Sequence, residues 1–392
     1  MSATGRRLRV AVAMSGGVDS SVVAWLLAKA GHEVLGVHMR NWDARDEHGV
    51  CPSDLDWEDV QRVCDQLPGG PHPAPLQVEF VQEYWNDVFT PFIEQFSEGV
   101  TPNPDVACNR EIKFGALRQR ASSLEVDCLA TGHYARLAPA PGRRPGPESA
   151  VASPSSPTIA PVRHVLGAGE IWDPLGTGCQ RIVTALDRKK DQSYFLCQVP
   201  APALASVLFP LGSMLKPRVK ALAAETGLVT AEKKESMGIC FIGKRRFRDF
   251  LGQYIDPSPG HFMTLEGEVL GAHGGFETYT IGQGARVGGQ SMKWFVADKR
   301  ESDRAVVLAP GTNHPALYTT SLTAAAKDFC WSAGSPPFAL DGALEAADPS
   351  SPKDTEESEE LSGRRRESGG SLRCFCCIRY RQSLVPCTDI EP

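Results

Sequence analysis

The sequence lacks several features that would assign it to a class directly. It contains no run of about 18 consecutive apolar residues, the length that a helix needs to cross a bilayer, so we expect no membrane-spanning segment. Its net charge is −6, from 41 basic and 47 acidic residues, which argues against a protein coated in positive charge. We therefore expect a soluble globular protein, whose 392 residues, 42% of them hydrophobic, suffice for two or three domains.

The 12 cysteines lack the regular spacing of a disulfide scaffold, and no signal peptide precedes them. This pattern indicates a reducing compartment in which any special cysteine is reactive rather than structural. The first strand begins soon after MSATGRRLRV, which leaves no room for a full transit peptide. The C-x-C-C spacing of Cys374, Cys376 and Cys377 is not that of a structural zinc site, so we expect no zinc there.

The stretch SGGVDSS, Ser15–Ser21, lacks both familiar phosphate-loop spacings, G-x-x-x-x-G-K-[ST] and G-x-G-x-x-G. It joins an apolar strand, Leu8–Met14, to a helical pattern, Ser20–Ala30, and a second strand follows at Glu33–Met39. Glycines that let the backbone come close, serine hydroxyls and free N–H groups at a helix start predict an anion site that suits phosphate. A tight strand-to-helix turn with a good cap is the alternative.

Strands and helices continue to alternate after this unit, which predicts a doubly wound α/β domain with a parallel sheet. Ligands bind such a sheet at the carboxyl ends of its strands, where SGGVDSS, Met39 and TGHY, Thr131–Tyr134, are expected to lie. Two prolines in TPNPD, Thr101–Asp105, predict a stiff, extended loop, with Cys108 at the start of the helix after it.

Two cysteines stand apart from the others. Cys108 and Cys240 each lie beside a loop and have basic neighbours that favour the thiolate. Cys64, Cys128 and Cys197 instead lie within apolar helix or strand patterns, so we expect them to pack as small hydrophobic side chains.

Nine segments resemble, in the same order, those of the tRNA-specific 2-thiouridylase family, and SGGVDSS resembles the PP-loop of the ATP pyrophosphatases. The segments are SGGVDSS, GVHMRNWD, EYWNDVF, TPNPDVACNREIKF, ATGHYAR, KDQSYFL, ESMGICFIGKRRFRDFL, PGHF and RYRQSLVPC. The resemblance runs from Val10 to Cys387, and NWDARDEHGVC and KESMGICFIGKR look closest to the mitochondrial branch of the family.

The resemblance implies insertion of sulfur at C2 of the wobble uridine of tRNA. ATP with Mg²⁺ would adenylate the C2 oxygen and release pyrophosphate. Cys240 would accept sulfur as a persulfide from an upstream donor. Cys108 would attack that persulfide, free sulfide and leave a Cys108–Cys240 disulfide that a reductant reopens; in the competing version the persulfide itself attacks the base. Asp105 is the candidate proton acceptor or base positioner.

The resemblance also implies two sets of binding residues. Those for ATP are Ala13, Met14, Ser15, Gly16, Gly17, Val18, Asp19, Ser20, Met39 and Gly132. Those for tRNA are Asn103, Pro104, Asp105, His133, Lys190, Asp191, Gln192, Arg379 and Tyr380. Structural alternatives remain: His133 as a capped histidine at a strand end, the KDQ triplet as a plain helix start, and Asp105 as a helix cap.

We divide the chain by composition and resemblance. The PP-loop domain takes residues 1–137 and about 162–210, a central domain 211–310, and a C-terminal β domain 311–392. Residues 138–161 and 341–370 are expected to be disordered insertions because Pro, Ser, Gly and charged residues dominate them.

The sequence departs from the family at two places. Gly284 stands where arginine is usual, and the C-terminal β domain looks truncated. Another PP-loop ligase, which should lack the two cysteines, and a truncated non-catalytic tRNA-binding homologue are the alternatives. The expected compartment is mitochondrial or organellar, otherwise cytoplasmic.

Overall fold

The computed structural model describes residues 7–42, 52–139, 164–166, 170–172, 180–235, 247–322, 329–332 and 372–390. Its strands are β1 (Arg9–Met14), β2 (Glu33–Arg40), β3 (Leu76–Glu79), β4 (Cys128–Ala130), β5 (Ala135–Pro139), β6 (His164–Leu166), β7 (Glu170–Trp172), β8 (Gln180–Thr184), β9 (Val207–Leu208), β10 (Gly260–Thr264), β11 (Val269–His273), β12 (Gly284–Ala285), β13 (Trp294–Arg300), β14 (Ala305–Pro310), β15 (Leu372–Cys376) and β16 (Val385–Ile390). Its α-helices are α1 (Val18–Lys29), α2 (Pro52–Asp65), α3 (Val81–Tyr84), α4 (Thr90–Ser97), α5 (Pro104–Ala107), α6 (Leu117–Ser122), α7 (Ala201–Leu204), α8 (Lys216–Glu225) and α9 (Phe247–Leu251). Backbone with π-helical hydrogen bonding joins α3 to α4 and α5 to α6, over Trp85–Phe89 and Cys108–Ala116.

The first sheet is five-stranded and parallel, in the order β3-β2-β1-β4-β9. Its two central strands pair from Arg9 opposite Glu33 to Met14 opposite His38. Apolar helices cover both faces, which explains why β1 is an almost uninterrupted apolar run. The predicted doubly wound α/β domain is confirmed.

The two faces of this sheet bury different side chains. One face packs against α1, α2 and α8 through aliphatic residues such as Val22, Val60 and Val219. The other packs against aromatic side chains such as Tyr84 and Phe92. Each fully buried large side chain contributes about 1.5–3 kcal/mol to folding, so this double core is the main source of the domain's stability.

The segment around Cys108 differs from its prediction. The extended stretch ends at Asn103, because Pro104 and Asp105 already belong to α5. Proline suits the first turn of a helix, where its missing N–H has no partner to lose. Cys108 therefore lies one turn inside a continuous helix rather than at its start.

The hydrophobic core of the PP-loop domain extends beyond residue 210, where we expected this domain to end. Helix α8 lies beyond it, yet Val219 and Leu222 belong to the same core as α1. Of the first expected insertion, residues 138 and 139 end β5, while 140–161 lie outside the described residues, as do 341–370.

A second sheet lies later in the chain, in the order β11-β10-β14-β13-β12, with a core built on Phe262, Trp294 and Leu308. Gly284 lies in its edge strand β12, opposite Phe295. Most of the C-terminal β domain is outside the described residues; its described part includes the antiparallel hairpin of β15 and β16. In the described ranges, no helix is long and apolar enough to span a membrane.

Candidate active site

The SGGVDSS segment forms the turn between β1 and α1, at the carboxyl edge of the parallel sheet. Gly16 has a φ of +69°, and a Cβ there would lie 2.7 Å from the carbonyl oxygen of Asp56, so only glycine fits. The Ser15 N–H donates to Ser20 Oγ over 3.2 Å, which holds the turn closed. No side chain of the described residues caps α1 at Val18, so the first N–H groups of this helix are available to an anion.

The other predicted ATP-binding residues lie at the same edge. Ala13 and Met14 end β1 and are buried, and Met39 lies on the adjacent strand β2. Gly132 follows β4, and a Cβ on it would lie 3.2 Å from the backbone nitrogen of Ser20. A larger residue at this position would have to push the helix start away by a few tenths of an ångström, so the close approach favours glycine here as well.

The carboxylate of Asp19 has two partners that sequence reasoning missed. Lys216 Nζ donates to both carboxylate oxygens at 2.7 Å, and the Tyr134 hydroxyl donates to Oδ1 at 2.8 Å. Only 8% of the Lys216 side chain is exposed, against 33% of that of Asp19. An ammonium buried this far needs a charged partner, so the pair fixes the orientation of Asp19. Burial beside Asp19 raises the pKa of Tyr134 well above its usual value and keeps this phenol a donor.

Glu235 forms ion pairs with Lys216 and with two further lysines. Its carboxylate lies 2.6 Å from Lys190 Nζ, 2.9 Å from Lys220 Nζ and 3.6 Å from Lys216 Nζ. Hydrogen bonds from Lys190 and Lys220 hold the pKa of Glu235 at about 2. Lys190, a predicted tRNA contact, is thus already paired with a carboxylate.

The TGHY segment connects the SGGVDSS turn with the helix that carries Cys108. Tyr134 and Gly132 contact the turn as described above. Between them, the ring of His133 lies 5.7 Å from that of Phe114, which belongs to the same continuous helix as Cys108. Burial, reinforced by the charge of Lys113, lowers the pKa of His133 well below its usual value. The imidazole is therefore neutral at neutral pH, and its Nδ1 lies 2.7 Å from Thr131 Oγ1.

In the TPNPD segment, the side chains of Asn103 and Asp105 have different roles. Asn103 Oδ1 accepts hydrogen bonds from the N–H groups of Asp105 and Val106, at 3.1 and 3.3 Å, so Asn103 rather than Asp105 caps the helix. The Asp105 side chain is exposed, yet surrounding protein atoms raise its pKa, an effect that Lys113 partly opposes. Asp105 is thus not the capping residue of this helix, and its raised pKa moves its titration toward neutral pH.

Two of the predicted tRNA contacts hold the chain in place. Asp191 accepts hydrogen bonds from the backbone N–H of Ala185 and from the Ser193 hydroxyl, both at 2.7 Å. Gln192 exchanges two hydrogen bonds with the backbone of Tyr134, at 2.8 and 2.9 Å. These bonds fix the KDQ triplet beside the TGHY segment.

The C-terminal hairpin reaches the same region. The Tyr380 ring lies 4.5 Å from that of Phe195, and the Tyr194 hydroxyl donates to the carbonyl of Ile378 at 3.0 Å. Arg379 donates to the carbonyl of Ile281 at 2.8 Å while its side chain stays exposed. The hairpin therefore bridges the α/β domain and the second sheet.

The cysteines differ in exposure. Cys108 is buried with 6% of its surface exposed, and Cys240 lies outside the described residues. Burial raises the pKa of both Cys64 and Cys128 to about 12, as expected for packed thiols. The expectation for Cys197 is wrong, since it is exposed: the chain before it forms a 3₁₀ turn, whose period of three residues moves it off the buried face.

The sequence does carry one signal for Lys216. This residue is the first of α8, where a positive charge is unfavourable to the helix dipole, so a lysine there implies another partner. Tyr134 and Glu235 carried no comparable signal. Within the described ranges, no group of three or more His, Cys, Asp or Glu side chains is arranged to hold a metal ion.

Two family models match the chain. Residues 8–244 match the one described as the tRNA methyl transferase HUP domain, and residues 248–310 match the tRNA methyl transferase PRC-barrel domain. The first match includes α8, in agreement with the shared core.

The chain is also similar to named relatives. It is 43% identical to the tRNA-specific 2-thiouridylase MnmA of Lysinibacillus sphaericus, over 81% of this chain and 75% of that protein. It is 44% identical to the human mitochondrial tRNA-specific 2-thiouridylase 1, over 84% of this chain and 75% of the relative. A solved 4-thiouridine synthetase in complex with RNA and ATP is 14% identical, with a TM-score of 0.32, over 63% of this chain and 50% of that one, which is too distant for inference.

Proposed function

The chain belongs to the tRNA-specific 2-thiouridylase family, and on that premise we propose that it is a tRNA sulfurtransferase, which replaces the C2 oxygen of the wobble uridine with sulfur. The family models are described as methyl transferases, whereas the named relatives are thiouridylases. The PP-loop favours thiolation, because replacing an oxygen requires that oxygen to be activated.

The observation that carries the proposal is the position of the TGHY segment. Tyr134 and Gly132 contact the SGGVDSS turn, and His133 between them packs against the helix that carries Cys108. The activating nucleotide and the sulfur chemistry can therefore act on one base at one edge of the sheet.

ATP with Mg²⁺, when bound, supplies AMP as the leaving group on the C2 oxygen. The site fits a polyphosphate: two glycines allow close approach, Ser15 and Ser20 offer hydroxyls, and the start of α1 offers N–H groups. Ala13, Met14 and Met39 line the adjacent strand ends, where an adenosine would lie. Lys216 and Tyr134 hold Asp19 in one orientation beside the turn, where its carboxylate would help to position bound ATP and its cation.

The sulfur step relies on two cysteines. We assign Cys240 as the persulfide carrier by its match to the family. The Cys108 thiolate attacks the inner sulfur of that persulfide, Cys240 Sγ, and the bond between Sγ and the outer sulfur breaks. A Cys108–Cys240 disulfide forms, and the outer sulfur leaves as hydrosulfide, which attacks C2 and displaces AMP. Cys108 matches the attacking cysteine of the family and lies one turn inside the helix that follows the TPNPD loop. Asp105, with its raised pKa, would take the proton or position the base.

The tRNA would contact three chain segments that meet near the TPNPD loop. Asn103 and Pro104 shape that loop, and Asp105 is exposed in it. Neutral His133 and the hydrogen-bonded side chains of Asp191 and Gln192 would shape the surface that the base contacts. Lys190 adjoins them in the chain, and Arg379 and Tyr380 come from the hairpin. Extruding the uridine costs a few kcal/mol, which contacts to the rest of the anticodon arm offset.

The reaction needs two partners besides tRNA: a protein or small molecule that delivers persulfide sulfur, and a reductant for the disulfide. We propose a mitochondrial or organellar compartment, supported by the 44% identity with the human mitochondrial relative. Fractionation of source cells, followed by immunoblotting against compartment markers, tests the location.

The experiment combines purified protein, ATP, Mg²⁺, a persulfide donor and unmodified tRNA, with 2-thiouridine measured by mass spectrometry. Cys108→Ser and Cys240→Ser should lose the product yet still form AMP in the presence of tRNA. Cys197→Ser, an exposed thiol outside the mechanism, is the matched control and should keep full thiolation. Thiolation at the normal rate in either of the first two variants contradicts the assigned roles, and tRNA binding without AMP formation would indicate a non-catalytic homologue.

A further inference from the structure

The C-terminal hairpin places two cysteines directly opposite each other. In the register of β15 and β16, Cys374 pairs with Cys387, and their thiols are in hydrogen-bond contact. Opposed residues of antiparallel strands have Cα atoms about 4.5–5.5 Å apart, which lies within the span of a disulfide. We propose that Cys374 and Cys387 are a redox site that closes to a disulfide and fixes the hairpin. The proposal goes beyond the thiolation reaction and does not rest on it.

The oxidant is a small-molecule disulfide such as oxidised glutathione. One cysteine thiolate attacks it, forming a mixed disulfide and releasing one small thiol. The second cysteine then attacks the mixed disulfide and releases the other small thiol. The Cys374–Cys387 bond forms, the bond of the small disulfide breaks, and its two sulfurs leave with the two electrons and two protons.

The surroundings of the pair suit a disulfide that lasts once formed. Both thiols are half-buried, which leaves them open to a small reagent. Burial, together with the neighbouring Cys387, raises the pKa of Cys374. A thiol with a raised pKa is a poor leaving group, so the reverse exchange is slow.

The disulfide would act on the turn that it encloses. That turn carries Arg379, which bonds the Ile281 carbonyl, and Tyr380, which packs on Phe195. Closing the base of the loop restricts the open states in which these contacts are lost.

Two neighbouring cysteines provide controls. Cys376 lies on the same face of β15 as Cys374 but faces Val385. Cys377 Sγ donates instead to the Arg379 carbonyl at 3.0 Å.

The test treats the full-length protein with mixtures of reduced and oxidised glutathione, blocks free thiols, and maps disulfides by peptide mass spectrometry. We expect a Cys374–Cys387 linkage, and tryptic cleavage after Arg379 that is at least about tenfold slower in the oxidised protein. Cys376→Ser should change neither result, whereas Cys387→Ser should leave Cys374 as a mixed disulfide with glutathione. Linkage of Cys374 to any other cysteine, or a reduced pair when Cys197 is already glutathionylated, overturns the proposal. So does unchanged cleavage of the linked protein. Mapping the wild-type chain requires no variant, so a misfolded variant cannot produce or hide the result.

Discussion

Replacing Lys216 with methionine tests the ion pair at the start of α1. The change keeps the apolar stem but removes the ammonium that contacts both oxygens of Asp19 at 2.7 Å. Breaking a buried pair costs about 3–5 kcal/mol, because the remaining charge is left without its partner. Asp19 is 33% exposed, so water can replace part of the interaction. We therefore expect the free energy of unfolding to fall by about 2–3 kcal/mol.

The effect on activity should exceed the effect on folding. Without Lys216, only the Tyr134 hydroxyl bonds Asp19 among the contacts described, so the carboxylate loses its fixed orientation. Loss of a group that acts directly on the reacting atoms lowers kcat about 10²–10³-fold; Lys216 acts through Asp19, so we expect a loss of at most this size. The assay is tRNA-dependent formation of AMP at a temperature where circular dichroism shows the variant to be folded.

Lys220→Met is the matched control for this experiment. Lys220 lies on the same helix and contacts the same Glu235 at 2.9 Å, but its side chain is 52% exposed. Its loss should cost less than about 1 kcal/mol and leave AMP formation within about threefold of normal. If Lys216→Met also stays within about threefold while folded, the role given to this pair is wrong.

Three further outcomes follow from the same structure. Burial lowers the pKa of His38 below its ordinary value of 6.5. As the pH falls through 6.5, the unfolded chain therefore binds more protons than the folded chain, and the folded state loses stability. The midpoint temperature of thermal unfolding should therefore decrease as the pH is lowered from about 7.5 to about 5.5, and the decrease should be smaller in His38→Phe. Because Cys64 and Cys128 are buried and their thiol pKa is about 12, iodoacetamide at about pH 8 should spare both in the native protein. Partial burial also raises the pKa of Cys197, but this residue is exposed, so it should be modified first, as read by peptide mass spectrometry. Asn103→Ala should destabilise the protein by about 1 kcal/mol in thermal denaturation, whereas Asn103→Asp, which can still cap the helix, should not.

The parallel sheet and its ATP-type loop could be predicted because their signals are local. An apolar run, two glycines and a helical pattern lie within about 20 consecutive residues, and strand and helix periodicity report burial directly. The start of the helix at Pro104 could not be predicted, because proline fits both an extended loop and a first helical turn. Only the side chain of Asn103, which turns back to cap the helix, distinguishes the two.

The partners of Asp19 could not be predicted, because they depend on contacts between distant parts of the chain. Tyr134 and Lys216 lie 115 and 197 residues away in sequence, and strand order and helix packing decide whether they meet. Residue types alone would have allowed Asp19 to remain solvated or to pair elsewhere. The SGGVDSS turn is therefore not a self-contained site, because residues after β4 and at the start of α8 support it.

The basic clusters of the sequence show the same limit. Four clusters of lysine and arginine, at residues 110–113, 188–190, 233–234 and 244–248, suggest several cationic patches on an acidic protein. In the structure one cation from each of three clusters is paired with a carboxylate: Arg110 with Glu111 at 2.5 Å, Lys190 with Glu235 at 2.6 Å, and Lys233 with Asp56 at 2.7 Å. A paired cation offers little net charge to a phosphate, because the RNA must first displace the carboxylate. Binding of tRNA by this chain should thus depend on shape and on a few exposed cations such as Arg379, and should weaken with salt less steeply than the number of lysines and arginines suggests.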